Sequence, residues 1–328
     1  MPARPLAVGI TPMETRRDVV LHVATRAEEL GYSAIFVAEG WGHDVSVLLA
    51  EIATCTTRIG LGTGVINVWG RSPAMIAMLA ASLDELSGGR FVLGLGTGSP
   101  ALAEGLHDIP FSRPVARLGQ VARQARRLLD GERIDPSVPG GATLLRLAVR
   151  PSSRIPIQMA ALGPQAVRLT GELADAWCPF LLPLSGLKEG IRLIEEGTAR
   201  SENSMPQIRP GLPVAVSPDP SAARELATWW VRFYLTSMGP LYARTLRNLG
   251  FDAAVDALLA APTGVPAQAE VLLDELTVWG DASAARLTLD AWHDAGADMP
   301  VLVLPPGRDL DELNNVLDAL KPSGEALS

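Results

Sequence analysis

Two stretches of the chain end in Gly-Thr-Gly: Arg58-Ile-Gly-Leu-Gly-Thr-Gly-Val-Ile-Asn67 and Gly89-Arg-Phe-Val-Leu-Gly-Leu-Gly-Thr-Gly-Ser99. In each, an apolar run that reads as a strand gives way to small residues. The backbone N–H groups at Thr63, Gly64 and Val65, and at Thr97, Gly98 and Ser99, are therefore free to meet a ligand. A third exit, formed by Ala161, Leu162, Gly163 and Pro164, opens a helix whose N-terminal amides and dipole suit a phosphate. Glycines at such exits serve either tight strand-to-helix turns or the close approach of a flat or phosphorylated ligand; three coincident exits favour the ligand. The candidates for proton transfer are Glu39 and His43, after the second strand, and His107, in the loop after the fourth. His22 and His293 fall inside helices and read as structural.

Several chemistries are excluded by spacing. Ser99 stands where the third glycine of a dinucleotide fingerprint belongs, and Gly62-Thr-Gly-Val-Ile-Asn67 fails in the same way. There is no Walker A lysine, no His-Glu-x-x-His, no paired Cys-x-x-Cys and no Gly-x-Ser-x-Gly elbow, so no metal site is expected. Cys55 and Cys178 read as buried free thiols.

The elements that position these residues alternate strand and amphipathic helix. Strands are expected at 6–11, 33–38, 58–66, 91–96, 156–161, 176–181, 212–216 and 299–304. Thr15-Arg-Arg-Asp18 resembles a capping box for the first helix, and Gly31 closes that helix. Asp44 caps the second, Ser72-Pro73 starts the third, and Asp309 with Glu312 starts the last. Inward faces are assigned to Cys55 on the second helix, to Met75, Ile76, Leu79, Leu83 and Leu86 on the third, and to Leu310, Leu313, Leu317 and Leu320 on the last. Eight such units define a (β/α)8 TIM barrel with insertions after strands 4 and 7, one domain over 1–322 and a tail over 323–328. In the first insertion, 144–149 reads as a short strand beside Gly140-Gly141. In the second, 221–280 reads as two or three helices carrying Trp229, Trp230, Phe233, Tyr234 and Tyr242.

Among 328 residues, 48% are hydrophobic and 20% charged, which allows a large core. The net charge is −8, and lysine occurs only at Lys188 and Lys321, which argues against nucleic acid as a partner. Arg123, Arg126 and Arg127 read as a solvated helix face. No apolar run is long enough for a membrane span, so a soluble cytoplasmic protein acting on a small molecule is expected.

The Gly-Thr-Gly stretches, Arg71-Ser-Pro-Ala74, Leu83-Asp-Glu-Leu-Ser-Gly-Gly-Arg90, and Ala161-Leu-Gly-Pro164 with Gly171-Glu-Leu-Ala-Asp-Ala-Trp177 together resemble the luciferase-like flavin and deazaflavin oxidoreductases. The resemblance is closest to the coenzyme F420-dependent branch that includes methylene-tetrahydromethanopterin reductase. It implies a hydride transfer at C5 of F420, with FMN as the alternative cofactor, and a homodimer. It also implies a non-prolyl cis peptide at Gly64–Val65 backing the ring, and cofactor contacts from Glu39 and the three exits. Sugar-phosphate enzymes of this superfamily carry an Asp-His pair and a glutamate where this chain has Glu39-Gly40 and Ser99, so that substrate is not expected. Competing readings are an FMN-dependent monooxygenase and a barrel that binds cofactor without catalysis.

Overall fold

The computed structural model describes residues 4–133 and 143–323. Its first half runs β1 (Ala7–Ile10), α1 (Arg17–Glu29), β2 (Ala34–Val37), α2 (Val45–Cys55), β3 (Gly60–Thr63), β4 (Ile66–Asn67), α3 (Pro73–Ser87), β5 (Phe91–Gly96), α4 (Pro100–Ala103) and α5 (Pro114–Leu129). The chain continues with β6 (Ile157–Ala160), α6 (Pro164–Leu173), β7 (Ala176–Trp177), α7 (Leu187–Thr198), β8 (Gln207–Ile208) and β9 (Gly211–Val216). It ends with α8 (Pro220–Ser237), α9 (Leu241–Asn248), α10 (Asp252–Ala260), α11 (Val271–Leu276), β10 (Val278–Gly280), α12 (Ala282–Asp294), β11 (Val301–Leu304) and α13 (Leu310–Leu320).

The caps explain why the helices start where they do. Asp44 accepts the Ser46 N–H, Ser72 accepts the Met75 N–H ahead of Pro73, and Asp309 and Glu312 form a full capping box. Gly31, at φ +82°, turns the chain out of α1. Thr15 does not cap α1. That helix starts after Arg16 with no side-chain cap, and the Thr15 carbonyl instead accepts from His43.

The described strands pair in parallel and the sheet is curled. β1 lies between β11 and β2, and the order continues through β3, β5, β6 and β7. The stretch 207–216 meets both ends of this path: β8 pairs with β7, β9 pairs with β11, and Phe180 bridges to Gly211. Parallel pairing gathers the C-terminal ends of the strands on one rim. The main core lies between the outer faces of the strands and the helices. A smaller cluster of Ala7, Ala34, Phe36, Met299 and Val301 fills the inner face, where space is narrow. At the opposite rim, Glu28 accepts the N–H groups of Thr57, Arg58 and Ile59. Arg90 there donates to the carbonyls of Ala53, Thr56, Ile59 and Ser87. The two side chains fix where β3 and β5 begin, and so where each exit falls.

Several expectations are corrected. Residues 144–149 form no strand, and Leu145 is 78% exposed; Gly140-Gly141 lies outside the described residues. The region 221–280 holds four α-helices, α8 to α11, and the strand β10. The expected sixth strand is regular only at Ala176–Trp177. Cys55 is exposed, because the last turn of α2 carries it past the core, while Cys178 is half-buried. Met75, Leu86 and Leu310 also face outward, because Ala77, Ala80 and Ala81 take the contact face of α3 and Leu313 begins that of α13. Arg126 is not solvated: it packs inward and donates to Asp175 at 2.9 Å. Of the tail, 324–328 lies outside the described residues. No helix among the described residues is long and apolar enough to cross a membrane.

Candidate active site

The third strand is bulged at its exit. Leu61 and Gly62 pair with Phe91 and Val92, but Ile66 and Asn67 pair with Leu95 and Gly96, so β3–β4 holds one residue more than β5 opposite it. Thr63 bridges the gap. Its hydroxyl donates to the Gly94 carbonyl at 2.8 Å and accepts the Gly94 N–H at 2.7 Å, and the side chain is fully buried. Gly64–Val65, the residues displaced by the bulge, are joined by a cis peptide; Gly64 is exposed and Val65 half-buried at the rim.

The glycines of the two motifs make room for each other. A Cβ on Gly94 would lie 1.9 Å from the Thr63 carbonyl oxygen, one on Gly96 would lie 2.6 Å from Val65 Cγ2, and one on Gly64 would lie 2.8 Å from Phe36 Cβ. These positions are glycine because of neighbouring protein atoms. Gly163 differs: a Cβ there would meet nothing within 4 Å. It precedes α6, which has Pro164 in its first turn and no side-chain cap, leaving the first amides of that helix free for a ligand. Gly96 pairs with Ala160, so the start of α6 stands beside the β5 exit and one strand further from the bulge. Ala161 is buried and Leu162 half-buried, with the Ala161 carbonyl accepting Trp177 Nε1 at 2.9 Å.

Thr97, Gly98 and Ser99 form the neighbouring wall. Gly98 has φ +58°, and a Cβ on it would stand 3.2 Å from Asn67 Cβ. Trp69 Nε1 donates to the Thr97 carbonyl at 2.7 Å, and Ser99 caps α4 through the Leu102 N–H.

The three proton-transfer candidates stand in different surroundings. Glu39 is largely buried and paired with Arg71, whose Nη2 lies 2.7 Å from Glu39 Oε2 and 2.8 Å from Asp44 Oδ1. The two carboxylates hold the Arg71 guanidinium above its ordinary pKa, the Glu39 hydrogen bond contributing most. His43 is exposed and turned away, donating from Nε2 to the Thr15 carbonyl at 2.9 Å. His107 is half-buried, with Nε2 3.3 Å from Asn67 Nδ2. Asn67 Oδ1 already accepts the N–H groups of Trp69 and Gly70, so the Asn67 amide donates to His107. Gly70 makes the approach possible, since a Cβ there would fall 2.5 Å from the ring.

Sequence reasoning missed Asn67, Arg71 and Gln158. Gln158 Nε2 donates to the Thr63 carbonyl at 3.1 Å, while its Oε1 accepts from Arg209 at 3.3 Å. The signal was a lone amide in the apolar run Ile157-Gln-Met-Ala160. Arg71 was visible only as part of a motif, without its two carboxylate partners.

Over residues 6–299 the chain matches the model of the luciferase-like monooxygenases. It belongs to that family. A relative from Mycobacterium tuberculosis, named as a coenzyme F420-dependent oxidoreductase, is 30% identical over 93% of this chain and 95% of its own. The fold is also that of the coenzyme F420-dependent tetrahydromethanopterin reductase of Methanopyrus kandleri, with TM-score 0.79, 20% identity and coverage of 97% and 98% of the two chains. The oxygenating constituent of 3,6-diketocamphane monooxygenase from Pseudomonas putida, solved with FMN, is similar at TM-score 0.75 and 16% identity, covering 97% of each chain.

Proposed function

We propose that the rim of β2, β3–β4, β5 and β6 holds the deazaflavin of coenzyme F420, and that the protein is an oxidoreductase moving a hydride between that cofactor and a small organic substrate. The observation that carries this reading is a bulge that leaves Gly64 exposed and Val65 half-buried at the rim, together with Gly163, which leaves a clear approach to an uncapped helix start two strands away. A flat ring against Val65, Thr97 and Gly98, with a phosphate at Gly163, Pro164 and the first amides of α6, fits that arrangement. The curled sheet is read as an eight-position (β/α)8 barrel, with 207–216 as its seventh position and the long segments after positions four and seven as insertions.

When bound, the deazaflavin would supply hydride chemistry at C5. The chain's contribution is to orient the ring, exclude water and hold protons. Thr63 and Gln158 fix the backbone behind Val65, and Arg71 keeps Glu39 paired at the second exit. Among Glu39, His43 and His107, we place His107 as the group that handles a proton, because Glu39 is tied up by Arg71 and His43 is turned away to the Thr15 carbonyl, while His107 is half-buried beside Asn67 of the bulged strand. We also propose a cytoplasmic homodimer joined through α2 and α3, whose outer faces expose Val47 at 59%, Met75 at 50% and Met78 at 51%.

The second reading is an FMN-dependent monooxygenase, favoured by the similarity to an FMN-bound monooxygenase structure. Titration with F420 and with FMN, followed by fluorescence quenching, separates the two. Tight binding of F420 with weak FMN binding is expected; tight FMN binding with none of F420 would reverse the assignment.

A further inference from the structure

Behind the bulge, on the inner face of the curled sheet, a cation ends a line of amides. Trp177 of β7 packs outward on α7, where a Cβ at Gly190 would lie 2.2 Å from its ring. Its neighbour Cys178 therefore faces inward, and because Trp177 pairs with Ile208, so does Arg209. Arg209 is half-buried and reaches across to β6, where its Nη1 donates to Gln158 Oε1 at 3.3 Å. Gln158 Nε2 donates in turn to the Thr63 carbonyl at 3.1 Å, and the N–H of the same peptide, at Gly64, donates to the Val37 carbonyl at 2.8 Å. Gln158 and Thr63 are buried, and Gly94 leaves room for their contact, since a Cβ there would lie 3.1 Å from Gln158 Nε2.

Among the described residues, no carboxylate is paired with this cation. The other partner of Arg209 is the amide of Gln207, whose Oε1 accepts from Nε at 3.1 Å and from Nη2 at 2.6 Å. The acids that act on it from further away are Asp298 and Asp175. Asp298 accepts the Ile208 N–H, and Asp175 holds the Ile157 N–H and the guanidinium groups of Arg126 and Arg154. Burial pushes the inward Cys178 thiol up to about 12, so it stays neutral. Burial also lowers Arg209 from its ordinary 12.5, but a guanidinium keeps its proton. At the rim, by contrast, the Arg71 charge is matched by Glu39 and Asp44.

We propose that Arg209 is a positioning residue of the cofactor wall, and that its unmatched charge, passed through Gln158 and the Thr63–Gly64 peptide, favours the reduced form of the bound deazaflavin over the oxidised one. This rests on the cofactor reading above. A hydride carries two electrons and one proton, so a neutral ring that accepts one gains a unit of negative charge until a second proton follows. Three hydrogen bonds that share one donor direction polarise one another, and a cation at their head turns the positive ends of the Gln158 amide and of the Thr63–Gly64 peptide toward the bulge. A ring lying against Val65 meets that field, which stabilises the negative charge it gains on reduction.

The test uses the full-length protein, titrated by anaerobic calorimetry with oxidised F420 and with chemically reduced F420. The wild type is expected to bind the reduced form more tightly. Arg209→Gln is expected to cut that preference roughly tenfold, the scale of one unit charge about 10 Å away at an effective dielectric of about 20. For a two-electron couple, that lowers the potential of the bound cofactor by about 30 mV. Arg209→Lys, which keeps the charge but not the planar fork, is expected to hold the preference within about threefold of wild type. A preference unchanged in Arg209→Gln, one lost equally in Arg209→Lys, or a wild type that binds the oxidised form more tightly overturns the role of Arg209 while F420 binding still supports the cofactor. The wild-type preference is read without any variant, so it decides the matter if Arg209→Gln does not fold. A wild type that binds neither form of F420 overturns the cofactor reading itself.

Discussion

Gly64 and Gly163 both stand at strand exits, yet different neighbours constrain them. Gly64 would drive a Cβ into Phe36, whereas Gly163 faces open space with an ordinary extended backbone, φ −72° and ψ 143°. Replacing Gly163 with valine is therefore expected to cost no more than about 1 kcal/mol, the scale of an N-cap preference, while lowering F420 affinity at least tenfold. Paired thermal unfolding and fluorescence titration check this; unchanged affinity would remove Gly163 from the cofactor site. Gly64→Val mixes the two effects, since it disturbs Phe36 packing whether or not a ligand binds. Position types were legible in the sequence at this scale, but purposes were not. Gly64 and Gly98 read as ligand glycines because a sequence cannot display the Phe36 and Asn67 side chains that a Cβ at those positions would crowd.

The loops after β1 and β11 are joined by Glu14. It accepts from the Arg16 backbone and guanidinium and from the Gly307 N–H at 3.0 Å. Burial pushes this carboxyl upward, but those hydrogen bonds outweigh it and leave the pKa below its ordinary 4.5. A depressed carboxylate stabilises the fold fully above its unfolded value and loses that contribution as pH falls through the folded one. The melting temperature of Glu14→Gln should thus lie below wild type at pH 7, with the gap narrowing below about pH 4.5; a gap independent of pH would exclude this linkage. Element order was largely readable, because the caps at Asp44, Ser72 and Asp309 and the periodicity after them are local signals. The region 221–280 was less so: α9 and α10 are short, and only Leu249, Gly250 and Phe251 separate them, Gly250 at φ +91° being a lone glycine in an otherwise helical pattern. Leu144 to Val149 looked strand-like from composition but finds no neighbouring strand to pair with.

For the whole molecule, α2 and α3 present methionines and valine to solvent where alanines already supply the contact with the body. An outward apolar face beside a complete inner one suits a second copy of the chain. Met78→Glu is expected to shift the sedimenting species from dimer to monomer without altering the circular dichroism spectrum. A wild-type protein that sediments as a monomer would refute the arrangement.

The mutual fit of the two Gly-Thr-Gly exits has a further consequence for how this sequence can change. Gly96 is confined by Val65, and Gly94 by the carbonyl of Thr63, so each motif sets what the other tolerates. An alanine at Gly96 becomes admissible once Val65 is trimmed, and a substitution harmful alone can be neutral beside its counterpart. The pair drifts, or is engineered, only as a single unit, and grafting one exit from a relative without its mate would import a collision.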